Sequence, residues 1–498
     1  MLDWLAAYPA ALVVFMLMAA VIMPALAHFR PALCAPMACF AVTLALAGSL
    51  HLAHVTLREG TIIYAVEDWL PPWGIEVVVT PLTALMLLVI SAVSLCLLVY
   101  SISSLEKEIP PGSIGWYYTS LLLLLTAMMG LAMANDLFNT YVFIEVSTIA
   151  ACALVVAKNS KAATEAALRY LLLATVGSGF VLFGICLLYL VTGQLNISFA
   201  ARALSGTLQQ YPFLIWTALS FFLVGLSIKA ALFPLHVWLP DAHSSAPAPS
   251  SAVLSGLVIK VYAVVLIKLF FPLVGPETLN ETFMRHILLF MASLAIIAGS
   301  LFAFVQLDLK RRLAYSSVAG IGYVFLGIGL GSQLGLAAGI LHIFNHALMK
   351  ACLFLSAGAI YRQTETRQVN RLQGLGFNMP VTMGAFSIAA LSMIGLPLSC
   401  GFVSKWYLSL GSIEAGQPLF IGLIIVSGVL NASYFLPVIW QAFFVVDREQ
   451  PKTVVLDAIP SPMLAGQVIL ALAVLYFGLW PGFPLALAQK AASIFIPW

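Results

Sequence analysis

Charged side chains are scarce in this sequence of 498 residues. Asp, Glu, Lys and Arg make up 8% of the chain, and 62% of the residues are hydrophobic. A soluble domain carries about 25% charged residues, so the composition excludes a soluble globular protein and indicates a polytopic membrane protein. The net charge of +3 is small for this length, and no basic run is interleaved with aromatic residues. Nothing therefore points to a nucleic-acid partner.

Sequence motifs for cofactors are also missing. The seven cysteines lie in apolar stretches, without a CxxC or a metal-ligand spacing, which favours small packing residues over disulfides or a cysteine-bound cluster. No Walker sequence, nucleophile elbow or haem motif is present. The glycine-rich AGIGYVFLGIGLG (319–331) follows no strand, so it indicates close helix packing rather than a dinucleotide loop. The sequence predicts no cofactor and no metal.

Long apolar runs fill most of the chain. A membrane span needs about 20 mostly apolar residues, and about fourteen runs meet this need. They are predicted at 8–27, 33–54, 78–103, 114–134, 138–157, 165–192, 210–239, 247–272, 286–306, 314–332, 336–361, 378–410, 416–446 and 462–480. We read the first as a retained span. The longest loop, near 55–77, is expected to form an amphipathic or hairpin cap.

Loop charges predict the orientation, because Lys and Arg are in excess on the cytoplasmic side. The odd-numbered loops hold Arg30, Lys107, Lys158, Lys161, Lys310, Arg311, Arg312, Arg362, Arg367, Arg371, Arg448 and Lys452. The even-numbered loops and the tail hold only Arg58, Arg202, Arg285 and Lys490. We therefore expect both termini on the non-cytoplasmic side of the cell membrane.

Two predicted spans are interrupted by proline. LSIKAALFPLHVWLPDAH (226–243) contains Pro234, and LSMIGLPLSCGFVSKW (391–406) contains Pro397. Proline breaks or kinks a helix, and in lipid a break survives only where protein or water satisfies the freed backbone groups.

Each interrupted span carries one lysine, Lys229 or Lys405, and the two lie about five spans apart. Matching broken helices point to a transport site between repeats. We predict three spans in 1–113, five-helix repeats at 114–272 and 286–446, and a loop with the last span in 447–498.

Basic residues inside the spans are costly, at about 2.5–3.5 kcal/mol each near a helix centre. Lys229, Lys260, Lys350 and Lys405 have apolar flanks on both sides, so they indicate either buried pairing or a proton path. Arg169 and Lys268 lie nearer span ends, where they could reach the interface. Glu145 is the one carboxylate well inside a span. Because an ionised Glu in lipid needs a cation within about 4–6 Å, Lys229 is its expected partner.

Histidines add to this buried charge. On an α-helix His342, His346 and Lys350 share one stripe. The stripe is compatible with zinc binding by two His at i and i+4, with a satisfied polar contact between helices, or with a proton relay, which we favour because imidazoles titrate near neutral pH. His236 and His243 flank the Pro234 break, where either proton uptake or a structural role is plausible.

Five segments carry a family resemblance: NDLFNTYVFIE, KAALFPLHVWLPDAHSSAP, DLKRRLAYSSVAGIGYV, HIFNHALMKACLFLSAGAIY and LPLSCGFVSKWYL. Together, over roughly 70–450, they resemble the antiporter-like proton-channel subunits of respiratory complex I, membrane-bound hydrogenases and Mrp cation/proton antiporters. The resemblance implies an all-α fold of fourteen spans with two inverted five-helix repeats and breaks in the seventh and twelfth helices. It also implies proton transfer by a mid-membrane axis, carried here by Glu145, Lys229, Lys260, His342, His346 and Lys405. Lys350 matches a lysine that only some branches of the family have.

The DLFNxYVFxE form is most similar to the Mrp antiporter component designated D, whereas PDAHSSAPAPSSA is closer to complex I. The leading hypothesis is therefore a proton-translocating subunit of a multisubunit Mrp-type Na⁺/proton antiporter, with other membrane subunits, protons, Na⁺ and lipid as expected partners. The alternative is the same proton machine in a redox-driven complex I-like or hydrogenase assembly, in which case the chain would be part of an enzyme. A scaffold with a relic charged axis is a third hypothesis.

Overall fold

The computed structural model describes residues 3–445 and 458–497, and nearly all of this part is helical. Arg448 and Lys452, two of the predicted loop cations, lie outside the described residues. In chain order the helices are α1 (Asp3–Ala7), α2 (Ala11–Phe29), α3 (Cys34–Glu59), α4 (Pro81–Glu108), α5 (Ile114–Met133), α6 (Leu137–Val156), α7 (Lys161–Thr192), α8 (Ile197–Thr207), α9 (Pro212–Lys229), α10 (Trp238–Ser245), α11 (Ala248–Val253), α12 (Ile259–Val274), α13 (Pro276–Glu281), α14 (Phe283–Val305), α15 (Leu309–Leu330), α16 (Gln333–Thr364), α17 (Leu375–Asn378), α18 (Pro380–Ile394), α19 (Cys400–Glu414), α20 (Leu419–Phe443), α21 (Ser461–Leu479) and α22 (Gly482–Phe495). Short 3₁₀ turns lie at Pro31–Leu33, Val66–Asp68, Pro111–Ser113 and Val369–Arg371, and a π-helical turn at Leu254–Val258 joins α11 to α12.

These helices form the fourteen predicted spans. Thirteen described segments are long and apolar enough to cross a membrane, and the shorter α18 joins α19 to complete the twelfth span. The seventh span consists of α9 and α10, with residues 230–237 between them. The predicted fold class, an all-α polytopic membrane protein with broken seventh and twelfth helices, is confirmed. The residue boundaries of the two repeats stay a prediction.

Polar side chains at the loop edges start several spans. Thr80, Ser160, Asp308 and Ser332 each accept a hydrogen bond from a backbone N–H three residues on, at the start of α4, α7, α15 and α16 respectively. Such caps satisfy donors that have no partner inside the helix. The apolar runs therefore begin as helices at defined residues, which fixes where each span meets the loop.

The expected hairpin cap is present in the second loop. Strands β1 (Ile62–Ala65) and β2 (Glu76–Val79) pair antiparallel, with Ile62 opposite Val79. The Glu76 carboxylate accepts hydrogen bonds from Asn135 Nδ2 at 2.6 Å and from Asn196 Nδ2 at 2.9 Å. Three even-numbered loops, the second, fourth and sixth, therefore meet on one face of the bundle.

The odd-numbered loops meet on the opposite face. Arg362, in the last turn of α16 before the eleventh loop, donates to Ser103 O near the end of α4 at 2.5 Å. Asp308 in the ninth loop pairs by a backbone bridge with Gln368 in the eleventh. The alternation of loops between two faces follows from an uninterrupted series of crossings.

Helix α16 forms the centre of the bundle. Its residues from Gly335 to Ile360 are all buried, and it packs against α4, α15, α18, α19, α21 and α22. A helix enclosed on every side has no lipid-facing surface. The polar stripe of His342, His346 and Lys350 therefore lies inside protein rather than in hydrocarbon.

Close packing of α7 on α9 depends on a pair of glycines. A Cβ on Gly225 would lie 2.5 Å from Gly177 O and 2.8 Å from Val181 Cγ2. We predict that Gly225→Ala lowers the stability of the purified protein by about 1–3 kcal/mol, the usual cost of overpacking. Thermal unfolding in detergent measures this, with Gly422→Ala as control because nothing lies within 4 Å of a Cβ there. Equal stability of the two variants would contradict the close approach.

Candidate functional site

The break in the seventh span leaves Lys229 at a helix end. Helix α9 ends at Lys229, and the non-helical stretch that follows contains Pro234. Trp238 Nε1 donates to Ile228 O at 2.8 Å, a carbonyl at the end of α9 that also accepts from the Ala231 N–H at 3.2 Å. Lys229 itself is buried, and its Nζ donates to Thr148 Oγ1 on α6 at 2.5 Å.

An aromatic hydroxyl completes the surroundings of Lys229. The Lys229 Nζ lies 5.8 Å from the centre of the Tyr262 ring on α12. The Tyr262 hydroxyl is 2.7 Å from Ser147 Oγ on α6. Three helices, α6, α9 and α12, therefore enclose the ammonium with hydroxyl groups and one ring.

Glu145 does not form the expected salt bridge with Lys229. No ion pair between these two described residues is present. Glu145 is partly exposed and shares a helix face with the exposed Val142 and Ile149. Thr148, one turn further on, takes the contact with Lys229 instead. The rotation of α6 therefore turns the carboxylate toward the lateral surface of the protein.

Lys260 lies beside the π-helical turn. Its side chain is fully buried and donates to the backbone carbonyl of Ser255 within that turn. The Ser255 hydroxyl is 2.7 Å from Ser317 Oγ on α15. Single π-turns inside helices are frequent at functional sites because they disturb the regular backbone pattern. Here the turn gives Lys260 a carbonyl partner without a carboxylate.

The two histidines of α16 stack on each other. Their ring centres are 5.4 Å apart with an interplanar angle of 13°. His342 Nδ1 lies 2.8 Å from Ser404 Oγ on α19. Neither ring nitrogen of His346 has a hydrogen-bond partner within the described residues. One histidine thus makes a polar contact between helices, and the other keeps both nitrogens open.

Gly320 makes the room for His346. A Cβ at Gly320 would overlap the His346 imidazole. The glycine-rich segment 319–331 therefore contributes close packing, as predicted, and one of its glycines admits a titratable ring.

Lys350 is fully buried two turns beyond His342. Its Nζ donates to Leu313 O at 2.9 Å and to Ser316 Oγ at 2.5 Å, both on α15. The stripe predicted on α16 is thus continuous with polar groups on α15.

The break in the twelfth span holds Lys405. Residues 395–399 separate α18 from α19 and contain Pro397. Lys405 Nζ donates to Met393 O and Ile394 O, at 2.9 Å each, and lies 4.9 Å from the centre of the Tyr323 ring. A cation is favoured at a helix C-terminus because the last carbonyls carry partial negative charge.

His236 and His243 occupy different parts of the seventh span. His236 is in the break and stacks on Phe233, with ring centres 5.2 Å apart. His243, in α10, is fully buried and stacks on Phe354 at 4.9 Å. His243 has no hydrogen-bond partner at either ring nitrogen within the described part of the chain. Its neighbourhood also contains Lys350, whose charge reaches it.

The fold places several of the predicted residues around the two histidines of α16. Lys260, Lys350 and Lys405 all lie close enough to interact electrostatically with His346. Lys260 and Lys405 also interact in this way with His342. Lys229 lies against the ring of Tyr262 on α12, the helix that also carries Lys260. Glu145 lies to one side, at the surface.

Sequence reasoning missed the groups that hold the lysines. Thr148, Tyr262, Ser255, Ser316 and Tyr323 contact a lysine directly, and Ser317 and Asn431 hydrogen-bond to Ser255 and Tyr323. Asn431 Nδ2 donates to Met393 O, the same carbonyl that Lys405 uses, at 3.0 Å. Small polar residues inside spans often hydrogen-bond across helices. Their presence in the sequence therefore indicated such bonds, but the sequence did not identify the partners.

Two further lysines were misplaced by the sequence. Lys268 does not extend to the interface: it is buried and donates to Ala132 O and Ala134 O at the end of α5, at 2.7 and 2.6 Å. Lys310 is not a loop cation: it is buried in the first turn of α15 and donates to Ala246 O at 3.0 Å. In both cases a carbonyl from another segment supplies the partner.

No metal-binding cluster occurs in residues 3–445 and 458–497, where no three His, Cys, Asp or Glu side chains converge. The zinc alternative for His342 and His346 therefore lacks a third ligand.

Comparison with known proteins yields consistent matches. Residues 134–431 match the family described as NADH:quinone oxidoreductase/Mrp antiporter, transmembrane. The chain is 43% identical over 397 residues to the N subunit of the NADH-quinone oxidoreductase of Desulforudis audaxviator, covering 80% of this chain and 78% of that protein. It is 30% identical over 405 residues to the Na⁺/H⁺ antiporter component designated D of Alkalihalophilus pseudofirmus, covering 81% and 80%.

A solved structure shares the fold over the whole length. A chain of the Mrp complex from Dietzia sp. DQ12-45-1b superposes with a TM-score of 0.88 at 24% identity, covering 98% of this chain and 97% of that one.

Placing His346 against Gly320 leads to a prediction. Gly320→Ala should displace the imidazole and reduce by about 100-fold the proton flux that the resemblance implies, because a shift of about 1 Å at a reacting group costs that much. Flux is measured in vesicles that contain the assembled complex. Gly384→Ala is the control, since its Cβ would meet nothing within 4 Å. Normal flux in Gly320→Ala, with assembly intact, would contradict a role for the His346 position.

Proposed function

Since this chain belongs to the NADH:quinone oxidoreductase/Mrp antiporter transmembrane family, we propose that it moves protons along its buried axis of Lys229, Lys260, His346, His342 and Lys405. At the coarser level the chain is an antiporter-like, proton-translocating membrane subunit of a multisubunit complex. The axis is the finer part of the proposal.

One observation carries the proposal. Within the described residues no axis lysine forms a salt bridge; carbonyl or hydroxyl oxygens hold each ammonium. A proton can leave or join such a group without stranding a buried carboxylate, which would cost several kcal/mol. The two stacked imidazoles provide a group that can both accept and donate between the lysines.

The order of the groups suggests the sequence of transfers. Protons are taken up near His236 and His243 and load Lys229 and Lys260. They then pass His346 and His342, with Lys350 alongside, and leave past Lys405.

Glu145 takes a separate role in this scheme. Its partly exposed position on α6 suits a contact with a neighbouring membrane subunit. Through Thr148, one turn along the same helix, such a contact would also influence the ammonium of Lys229.

The driving reaction is proposed to be cation exchange of the Mrp type. The DLFNTYVFIE segment and the 30% identity to a Na⁺/H⁺ antiporter component designated D support this assignment. The higher identity to the N subunit of an NADH-quinone oxidoreductase favours the second candidate, coupling to a redox reaction. In both cases the partners are other membrane subunits, and the chain crosses the cell membrane with both termini on the non-cytoplasmic side.

Removing a member of the axis tests proton transfer. Lys229→Ala and Glu145→Ala should each abolish proton flux while the complex still assembles, because the first loses a proton site and the second its electrostatic control. Lys161→Ala is the control, as Lys161 is an exposed residue at the start of α7. Flux is followed with a pH-sensitive dye in vesicles. Wild-type rates in either variant would refute the mechanism.

The partner subunits identify the reaction that drives proton transfer. After purification of the native complex in mild detergent, mass spectrometry should identify small hydrophobic subunits without iron, and vesicles should show a Na⁺-dependent pH gradient. Copurifying iron–sulfur or nickel subunits would instead establish the redox-coupled alternative.

A further inference from the structure

Two polar cavities open on the face that carries the odd-numbered loops. The larger, of about 630 Å³, is lined by Lys158, Asp241 and other residues of the fifth, seventh, ninth and eleventh loops. The smaller, of about 310 Å³, is lined by Ser104, Glu108 and their neighbours. Tyr361 lines both cavities. A thin wall of side chains therefore separates them.

An ion pair forms that wall. Lys158 Nζ lies 3.3 Å from Glu108 Oε2, and each side chain is 14% exposed. Lys158 faces the larger cavity and Glu108 the smaller. Lys158 also lies over the Tyr361 ring, 5.9 Å from its centre. Burial lowers the pKa of Lys158, and the charge of Glu108 offsets part of this effect.

Behind the wall, Glu108 reaches the backbone between α10 and α11. Glu108 Oε2 accepts the Ala248 N–H at 2.9 Å. Two residues earlier, Ala246 O accepts from the buried Lys310 at 3.0 Å. The charge of Glu108 reaches Lys310. Glu108 thus lies between the smaller cavity and Lys310, a buried lysine that the proposed axis does not use.

Helix α15 continues this line toward the centre of the membrane. One and two turns beyond Lys310, Leu313 O and Ser316 Oγ accept from Lys350. At Ser317 the hydroxyl contacts Ser255, beside Lys260. The seven steps from residue 310 to residue 317 rise about 10 Å along the helix. His243 is near the same line, since the charges of Lys310, Lys350 and Lys260 all reach it.

We propose that Glu108 takes up protons from the two cavities and passes them through Lys310 and His243 to Lys350 and Lys260, with Lys158 controlling the carboxylate. The inference rests on the proposed proton-translocating function and names its uptake residues. A proton bonds to a Glu108 oxygen and loosens the pair with Lys158. It then moves to the neutral amine of Lys310, which restores the carboxylate, and onward to a His243 ring nitrogen and the neutral amine of Lys350. No electrons are exchanged.

The competing explanation is a purely structural clamp on residues 246–248. Glu108→Gln separates the two roles, because the amide oxygen can still accept the Ala248 N–H but cannot carry a proton. Lys310→Arg does the same at the next position, because a guanidinium keeps the charge and the donors but does not deprotonate in proteins. A clamp tolerates both changes, whereas a proton path tolerates neither.

The experiment compares proton flux in vesicles that contain the whole complex. We expect at least a tenfold loss in Glu108→Gln and in Lys310→Arg, and a smaller loss in Glu108→Asp, which keeps a carboxylate. Glu106→Gln should keep wild-type flux, since Glu106 is an exposed residue two positions earlier on α4. Assembly of each variant is verified by mass spectrometry of the purified complex.

Equal flux in Glu108→Gln and Glu108→Asp, or wild-type flux in Lys310→Arg, would overturn the uptake route. Measuring Lys229→Ala in the same vesicles separates this failure from that of the proposed function. If Lys229→Ala stops the flux while the Glu108 and Lys310 variants conduct normally, only the uptake route is wrong. If Lys229→Ala also conducts normally, the proposed function itself is wrong.

Discussion

Buried ammonium groups without carboxylate partners are the constraint on which this structure depends. Each costs about 2.5–3.5 kcal/mol near a helix centre on insertion scales, and no axis lysine has an acidic partner among the described residues. Interrupted helices supply much of what replaces it. The end of α18 offers Met393 O and Ile394 O to Lys405, and the π-turn offers Ser255 O to Lys260. The interrupted helices therefore supply the acceptors for Lys405 and Lys260, whereas side-chain hydroxyls and α15 supply those for Lys229 and Lys350.

The surrounding bundle protects these polar contacts from lipid. Helix α16 lies at the centre and carries three titratable groups on one stripe, while glycine in α15 allows the His346 ring to pack against the helix backbone. Serine and threonine hydroxyls on α6 and α15 complete the coordination of the ammonium groups. These partners accept hydrogen bonds and carry no charge. The charges that influence the protonation of one site are therefore those of the neighbouring titratable groups in the proposed axis.

The two faces of the bundle differ in what they expose. On the face of the odd-numbered loops, the Asp241 carboxylate lies 2.8 Å from Arg169 Nη1 and also pairs with Arg311. All three residues line the larger cavity. On the other face, Glu76 joins three loops through asparagines. Charged groups thus gather where the proposed uptake begins, and the same axis could serve a cation-driven or a redox-driven partner because no step in it needs a cofactor from this chain.

The sequence by itself determined the number of spans, the two breaks and the axis residues proposed for proton transfer. Apolar run length and proline act locally, so they can be read without knowing what each helix contacts. The tertiary structure decided the rest. The rotation of α6 about its axis turns Glu145 outward and places Thr148 within hydrogen-bonding distance of Lys229. Carbonyls far away in the sequence accept hydrogen bonds from Lys268 and Lys310. Helix rotation and partner choice are set by packing between segments far apart in the chain, and a one-dimensional pattern of apolar and charged residues does not contain that information.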